Sequence, residues 1–317
     1  MAWLNPARLA QLQGPEGCEW LVAAAEAGED PFVVSRLQQR FPGADTGVLA
    51  AAVEQVRLRH RAQVRFSRAE TMWFAESLLE QASSEAVARR HADRFARWAA
   101  GCSQAPRIGD LCCGLGSDSL ELARWVPGSA PIRAVDRAPL AVALTQANAH
   151  ALGLADRIVV LCADVATDLP ELDAAWMDPG RREGARRTRR LEEMSPPLAC
   201  LLEWTGRLSA AGIKLSPASD PGELNQYLAG EAVEWEWISS RGSCRELVIW
   251  FGGTAESPGQ RSATVVEAGQ SLVGVPLPYL GLSPVGPYLL EPDPAVIRAG
   301  LVGNLAAELG ASQGYRI

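Results

Sequence analysis

The 317-residue chain is predicted to be an α/β protein, a mostly parallel sheet of seven strands with the seventh antiparallel, between a helical N-terminal module and a small C-terminal element. Three observations predict this. Up to about residue 100 apolar residues recur three and four apart, the period of helices with one buried face. From Arg107 short apolar runs alternate with helical stretches, as in a sheet covered on both faces. The runs "AVEWEWISS" and "CRELVIWFGG" are joined only by "RGS", too short for a crossover, so they form an antiparallel hairpin.

Taken in order, "VVSRLQQRF", "GVLAAAVEQVRLRHRAQV" and "SSEAVARRHADRFARWAA" are helices of the N-terminal module, residues 1–100, punctuated by Pro42-Gly43 and Ser83-Ser84. "TMWFAESLL" reads as a further core-facing helix, with Glu80 and Gln81 just beyond it. The sheet domain, residues 101–253, holds strands at "RIGDLCC", "IRAVD", "RIVVLCAD", "LDAAWMD", "GIKLS" and the two hairpin runs, with helices between the first six. In "AVEWEWISS", Val233, Trp235 and Trp237 alternate with acids, which predicts one wetter face. Residues 254–317 are rich in proline and glycine before a closing helix, "AVIRAGLVGNLAAEL", and read as a separate, truncated element.

Acids outnumber bases 37 to 30, giving a net charge of −7. That disfavours a general nucleic-acid coat while leaving room for a local basic patch. The N-terminus has no basic start followed by an apolar run, and no window reaches the length of a membrane span, so a cytoplasmic protein is expected. Seven cysteines without a Cys-x-x-Cys pair and three scattered histidines (His60, His91, His150) point to neither disulfides nor a bound metal. Lys214 is the single lysine; it closes the fifth strand and reads as a snorkelling strand-end residue.

The stretch "DLCCGLGSDSLELA" carries the chemistry. A strand, Gly-x-Gly and a helix suggest a dinucleotide turn, yet the third glycine of that fingerprint is replaced by Ser119. Asp110 would aim a carboxylate where a pyrophosphate must lie, which repels phosphate unless the ligand brings a positive group. S-adenosylmethionine brings an ammonium and no phosphate. Its carboxylate suits a helix N-terminus and the bare backbone of Gly114 and Gly116. Asp136 closes the second strand, where an acid takes ribose hydroxyls, and Asp164 the third, where one takes the adenine amine. All three lie at the carboxyl ends of successive strands, where open parallel sheets bind ligands.

On these residues the sequence resembles class I S-adenosylmethionine-dependent methyltransferases. "DLCCGLGSDSLELA" is similar to their first motif, "AVDRAPLAVALTQANAHALGL" to the second, and "LCADVATDLPELDAAWMDPGRR" to the adenine and catalytic motifs. More narrowly it resembles bacterial methyltransferases with a THUMP-like C-terminal domain and relatives of trimethylguanosine synthase, through "SSEAVARRHADRF" and the tail "EPDPAVIRAGLVGNLAAEL". The resemblance covers residues 66–252 and, less closely, that tail. It implies a Rossmann-like sheet, S-adenosylmethionine as cofactor, and Cys112, Arg137 and Val165 beside the cofactor with the residues named above. It also implies a catalytic role for Asp178 and Pro179, which stand where amino-methylating relatives carry Asn or Asp, then Pro. The next two positions there are proline and an aromatic; here they are Gly180 and Arg181, which removes the ring from this place.

Arg181 opens the run "RREGARRTRR", with Arg182, Arg186, Arg187, Arg189 and Arg190 against one acid, Glu183. Its position after the acceptor strand predicts contacts from Arg181, Arg182, Arg186 and Arg187 to RNA phosphates. Either the guanidinium plane of Arg181 or a ring from Trp73 or Phe74 would supply the stacking surface. The expected activity is therefore methyl transfer to a base of ribosomal or transfer RNA. The alternatives are a small-molecule methyltransferase, an RNA-binding module that has lost catalysis, and a nicotinamide dehydrogenase.

Overall fold

A computed structural model describes residues 3–28, 30–167, 170–181, 194–228, 230, 232–278 and 287–312. The N-terminal helices are α1 (Pro6–Leu12), α2 (Pro15–Ala27), α3 (Val33–Arg40), α4 (Thr46–Ala62), α5 (Glu76–Gln81) and α6 (Glu85–Ala99). Prolines in the first turn of α1 and α2, and the Asn5 and Asp45 side chains accepting from the N–H groups of Arg8 and Val48, start α1, α2 and α4 where the sequence offers those signals. The segment 71–75, expected as helix, is irregular and α5 begins only at Glu76. Its buried ring residues are tied to other helices: Asn148 Oδ1 accepts from the Trp73 N–H at 2.7 Å, and Gln55 Oε1 accepts from the Phe74 N–H at 3.0 Å.

The sheet domain follows as β1 (Ile108–Leu111), α7 (Ser117–Trp125), β2 (Ile132–Asp136), α8 (Pro139–Ala151), β3 (Ile158–Cys162), β4 (Ala174–Met177), β5 (Gly180–Arg181), β6 (Met194–Ser195), α9 (Leu198–Thr205), β7 (Ala210–Leu215), α10 (Pro221–Asn225), β8 (Glu234–Ser240) and β9 (Ser243–Gly252). Between β3 and β4 the described residues hold no helix, contrary to expectation. Two further strands, β10 (Arg261–Val265) and β11 (Gln270–Gly274), precede α11 (Pro294–Ala299) and α12 (Val302–Leu309).

The sheet runs β11-β10-β8-β9-β7-β4-β1-β2-β3. Strands β3, β2, β1, β4 and β7 are parallel neighbours, and β9 lies antiparallel between β7 and β8. All seven expected strands, the returning seventh among them, are present. The sheet has nine strands because the segment expected as a separate element adds β10 parallel to β8 and β11 antiparallel to β10. This covers the edge that β8 would otherwise expose.

It also corrects the wetter face expected for β8, whose seven residues are all buried. Glu234 is held by Arg94 at 2.7 and 2.9 Å and by the Ser262 hydroxyl at 2.6 Å, while Glu236 accepts from Arg90 at 2.8 Å, Arg94 at 3.1 Å and the Trp250 indole at 2.7 Å. Helix α6 therefore lies over β8 through buried ion pairs, and the hydroxyls of β10 complete the set. Buried carboxylates are tolerated only when paired in this way.

Candidate active site

The carboxyl ends of β1, β2, β3 and β4 surround a cleft lined by Asp110, Cys112, Gly114, Asp136, Arg137, Asp164, Val165 and Asp178, among others. Of the expected cofactor residues all but Gly116 line it, and Asp178 joins them. Gly116 stands behind the turn at φ 88°, where a Cβ would meet Thr145 at 2.9 Å. Gly114, at φ 60°, faces open space, with no atom within 4 Å of the point where a Cβ would stand. Both therefore need glycine, one for packing and one for an open approach to the backbone. Cys112 adopts φ 66°, and its N–H and that of Cys113 both donate to the Val135 carbonyl, at 2.8 and 3.1 Å. This fixes the turn to β2.

Asp110 is buried at the end of β1. One carboxylate oxygen accepts from the Ser119 hydroxyl, so the residue in the third glycine's place supports the acid. The other, Oδ1, is buried with no partner in the protein. Burial, with the charges of Asp118 and Asp178, pushes its pKa well above the usual carboxylate range, against the Ser119 hydroxyl. An unpaired buried carboxylate is costly and selects a cationic donor. Asp136 accepts from the N–H groups of Gly114 at 3.0 Å and Ala138 at 2.9 Å; burial raises its pKa despite them. It braces the glycine turn as well as facing the cleft. Asp164 is exposed and accepts from the Ala166 N–H at 2.9 Å. With Asp118, five carboxylates line the cleft against one cationic lining residue among those described, Arg137. Such a site repels pyrophosphate.

Asp178 follows β4, and its Oδ2 accepts from Lys214 Nζ at 2.7 Å. Lys214 is largely buried, a correction to the snorkelling expected of it. Its other donors reach Ser83 Oγ at 3.2 Å and the Gln81 carbonyl at 3.3 Å, and Glu246 Oε2 stands at 3.9 Å. Burial opposes the ammonium, yet Asp178, Glu246 and Asp118 together raise its pKa. Asp178 is pushed up by burial and by Asp118 and Glu246, which outweigh Lys214, since several acids share one ammonium.

Behind this pair His91 is fully buried, its Nδ1 2.7 Å from Asp118 Oδ1 and its Nε2 2.5 Å from Glu246 Oε1, with its ring stacked on Trp176 at 3.9 Å. Carboxylates at both ring nitrogens require the doubly protonated ring. Burial disfavours that charge, but Glu246 and Asp118 raise the His91 pKa to about 9. Burial would likewise raise Asp118, but the bond to His91 keeps it low.

Several expected residues fall elsewhere. Trp73 and Phe74 are buried in the helical module and line no part of the cleft. Pro179 is buried directly after Asp178. Arg181 pairs with Met194 in the two-stranded β5–β6 hairpin, while Arg182, Arg186, Arg187, Arg189 and Arg190 lie outside the described residues. Gly180, Ser195 and Pro196, on the described residues to either side of that run, line the cleft. Asp118, Lys214, Glu246 and His91 were missed as one group because α7, β7, β9 and α6 bring them together from distant positions.

Strand order 3-2-1-4-5-7-6, with the seventh antiparallel, runs from β3 to β8. The chain has an α/β, Rossmann-like fold with the mostly parallel sheet that the sequence predicts. No protein-family model matches it. It is 33% identical over 245 residues to a protein of Mycobacterium tuberculosis named as an uncharacterized S-adenosylmethionine-dependent methyltransferase, covering 76% of this chain and 63% of that one. The chain thus spans less than two thirds of the length of this relative. It is also 38% identical over 63 residues to a protein of Pyrobaculum aerophilum named as a probable cobalt-precorrin-6B C(15)-methyltransferase, covering 20% of this chain and 32% of the relative. Among solved structures, magnesium protoporphyrin IX methyltransferase of Synechocystis with bound S-adenosylmethionine aligns with a TM-score of 0.40 and 13% identity, over 57% of this chain and 86% of that one.

Proposed function

We propose that the protein is an S-adenosylmethionine-dependent methyltransferase acting on a base of RNA. The observation that carries the cofactor is the buried, unpartnered oxygen of Asp110 in a cleft of carboxylates. It fits the ammonium of S-adenosylmethionine and opposes the pyrophosphate of a nicotinamide cofactor. On this reading Asp136 and Asp164 accept from the ribose hydroxyls and the adenine amine, and the bare backbone at Gly114 admits the cofactor's amino-acid end; that all three line one cleft supports it. Cys112, Arg137 and Val165 complete the walls. When bound, S-adenosylmethionine supplies a methyl group on a positively charged sulfur.

The chain's own contribution is alignment and exclusion of water. Lys214 fixes one oxygen of Asp178, which leaves the other carboxylate oxygen and the Pro179 carbonyl to orient the acceptor's hydrogens. Support for RNA comes from the arginine run, rooted at the cleft rim by Gly180, Ser195 and Pro196. Six arginines in the ten residues from Arg181 to Arg190 make a local basic patch in an otherwise acidic chain, the charge that phosphate needs.

The deciding experiment incubates the protein with methyl-tritiated S-adenosylmethionine and either bulk RNA or a metabolite extract. Label in RNA is expected. Label only in the metabolite fraction would replace the RNA reading with a small-molecule one, and tight cofactor binding without turnover on either pool would leave a binding module.

A further inference from the structure

We propose that a second arginine cluster, separate from the 181–190 run, forms a rim that carries the phosphodiester backbone of single-stranded RNA across the acceptor side of the cleft. It deepens the RNA reading above and rests on it. The cluster is built from Arg241 and Arg245 on the β8–β9 hairpin together with Arg65 and Arg61 at the end of α4.

The topology puts the hairpin turn on the ligand side. β8 and β7 both pair antiparallel with β9, so the carboxyl end of β8 and its turn share an edge with the carboxyl ends of β7 and β4. Arg241 and Gly242 have φ of 53° and 66°, the paired left-handed conformation of a tight hairpin turn. This tight turn holds Arg241 at its tip. Three strand spacings separate β8 from the acceptor strand β4, about 14 Å, within reach of a few nucleotides of extended backbone.

The other half of the cluster is anchored to the cleft wall. The Arg65 guanidinium donates to the Leu79 and Ala82 carbonyls, and Leu78, Gln81 and Ala82 line the cleft. Lys214 reaches the Gln81 carbonyl at 3.3 Å. Arg65 and the acceptor pair thus hold the same short segment, residues 79–82, part of which lines the cleft. Burial first, and then the charges of Arg245, Arg241 and Arg61, lower the Arg65 pKa. Like charges gathered this closely invite an anion.

The acids nearby are largely engaged. Glu76 takes Arg61 at 2.7 Å and Arg57 at 3.1 Å, and Glu267 accepts from the Ser240 hydroxyl at 2.6 Å and the Arg241 N–H at 3.1 Å. Arg241 and Arg245 are exposed and make no ion pair among the described residues; Arg245 donates only its Nε, to the Ser240 carbonyl at 3.1 Å. Their remaining guanidinium donors are free for phosphate oxygens. Acceptor strand, acceptor pair and rim therefore lie in sequence along one edge, the order a strand needs to pass a base over Asp178.

The test compares wild type with the double variant Arg241→Asn, Arg245→Gln, in which asparagine tolerates the left-handed turn. Binding of a fluorescent single-stranded RNA oligonucleotide is titrated across salt concentrations, and calorimetry with S-adenosylhomocysteine controls for an intact fold. Loss of two phosphate contacts should reduce the slope of log K against log salt by about 1.4, with cofactor affinity unchanged. An unchanged slope in a variant that still binds RNA and cofactor as wild type does would overturn the rim and leave the RNA reading standing. Wild type failing to bind RNA at any salt would bring down both.

Discussion

At the scale of single residues the site is a problem of unbalanced charge. Asp110 keeps one oxygen without a partner, and burial holds its carboxyl well above the ordinary range, so the free cleft carries a proton there as pH falls. Binding a cationic ligand must expel that proton. Cofactor affinity is therefore expected to weaken with falling pH, by up to tenfold per unit below the raised Asp110 pKa. Calorimetry across pH should show this slope in wild type and lose it in Asp110→Asn, which should also bind one to a few kcal/mol more weakly at neutral pH. Equal slopes would assign the proton elsewhere. Lys214 faces the opposite imbalance, one ammonium among Asp178, Glu246 and Asp118. Lys214→Met should cost about 3–5 kcal/mol, the penalty of stranding buried carboxylates, read from urea unfolding. Asp110, Asp136 and Asp164 were legible as candidates because each ends an apolar run, the first just before a glycine turn, and all three line one cleft. Lys214 was not, because its partners come from segments up to 133 positions away, and no local pattern announces them.

At the scale of elements, α6 is the tie between the helical module and the sheet. It contributes His91 to the Asp118 and Glu246 pair and Arg90 and Arg94 to the acids of β8. The alternation of β8 told strand from helix correctly and misplaced its polar face, since periodicity reports which residues share a face and not what covers it. The strands β10 and β11 were hidden for a related reason. "RSATV" buries Ser262, Ala263 and Thr264, and its hydroxyls serve the glutamates of β8, so it lacks the apolar run that marks a buried strand. His91 gives this tie a pH signature. Its pKa rises from 6.5 to about 9 on folding, so its stabilising contribution, about 3 kcal/mol by linkage, is complete below about pH 6.5 and lost as pH rises through about 9. Urea midpoints should fall over that interval in wild type by more than in His91→Gln, which lacks the imidazolium. Parallel falls in the two proteins would mean that His91 is not the titrating group.

At the scale of the whole molecule the charges are sorted by face. A chain of net charge −7 gathers five carboxylates on one cleft at the carboxyl ends of β1 to β4, and Gly180, next to Arg181, lines that cleft too. Net charge read from composition could not reveal this, because the sorting is made by topology: β4 delivers the run beginning at Arg181 to the edge where β1, β2 and β3 end. The strand order was legible because short apolar runs and one hairpin too short to cross over leave few alternatives. If the run binds RNA backbone, replacing Arg186, Arg187, Arg189 and Arg190 with alanine should flatten the salt dependence of RNA binding by about 2.8 in log–log slope, at roughly 0.7 per single-strand contact. Cofactor affinity should stay as it was. A slope that survives all four replacements would take the run out of substrate binding and return it to the role of a solvated loop.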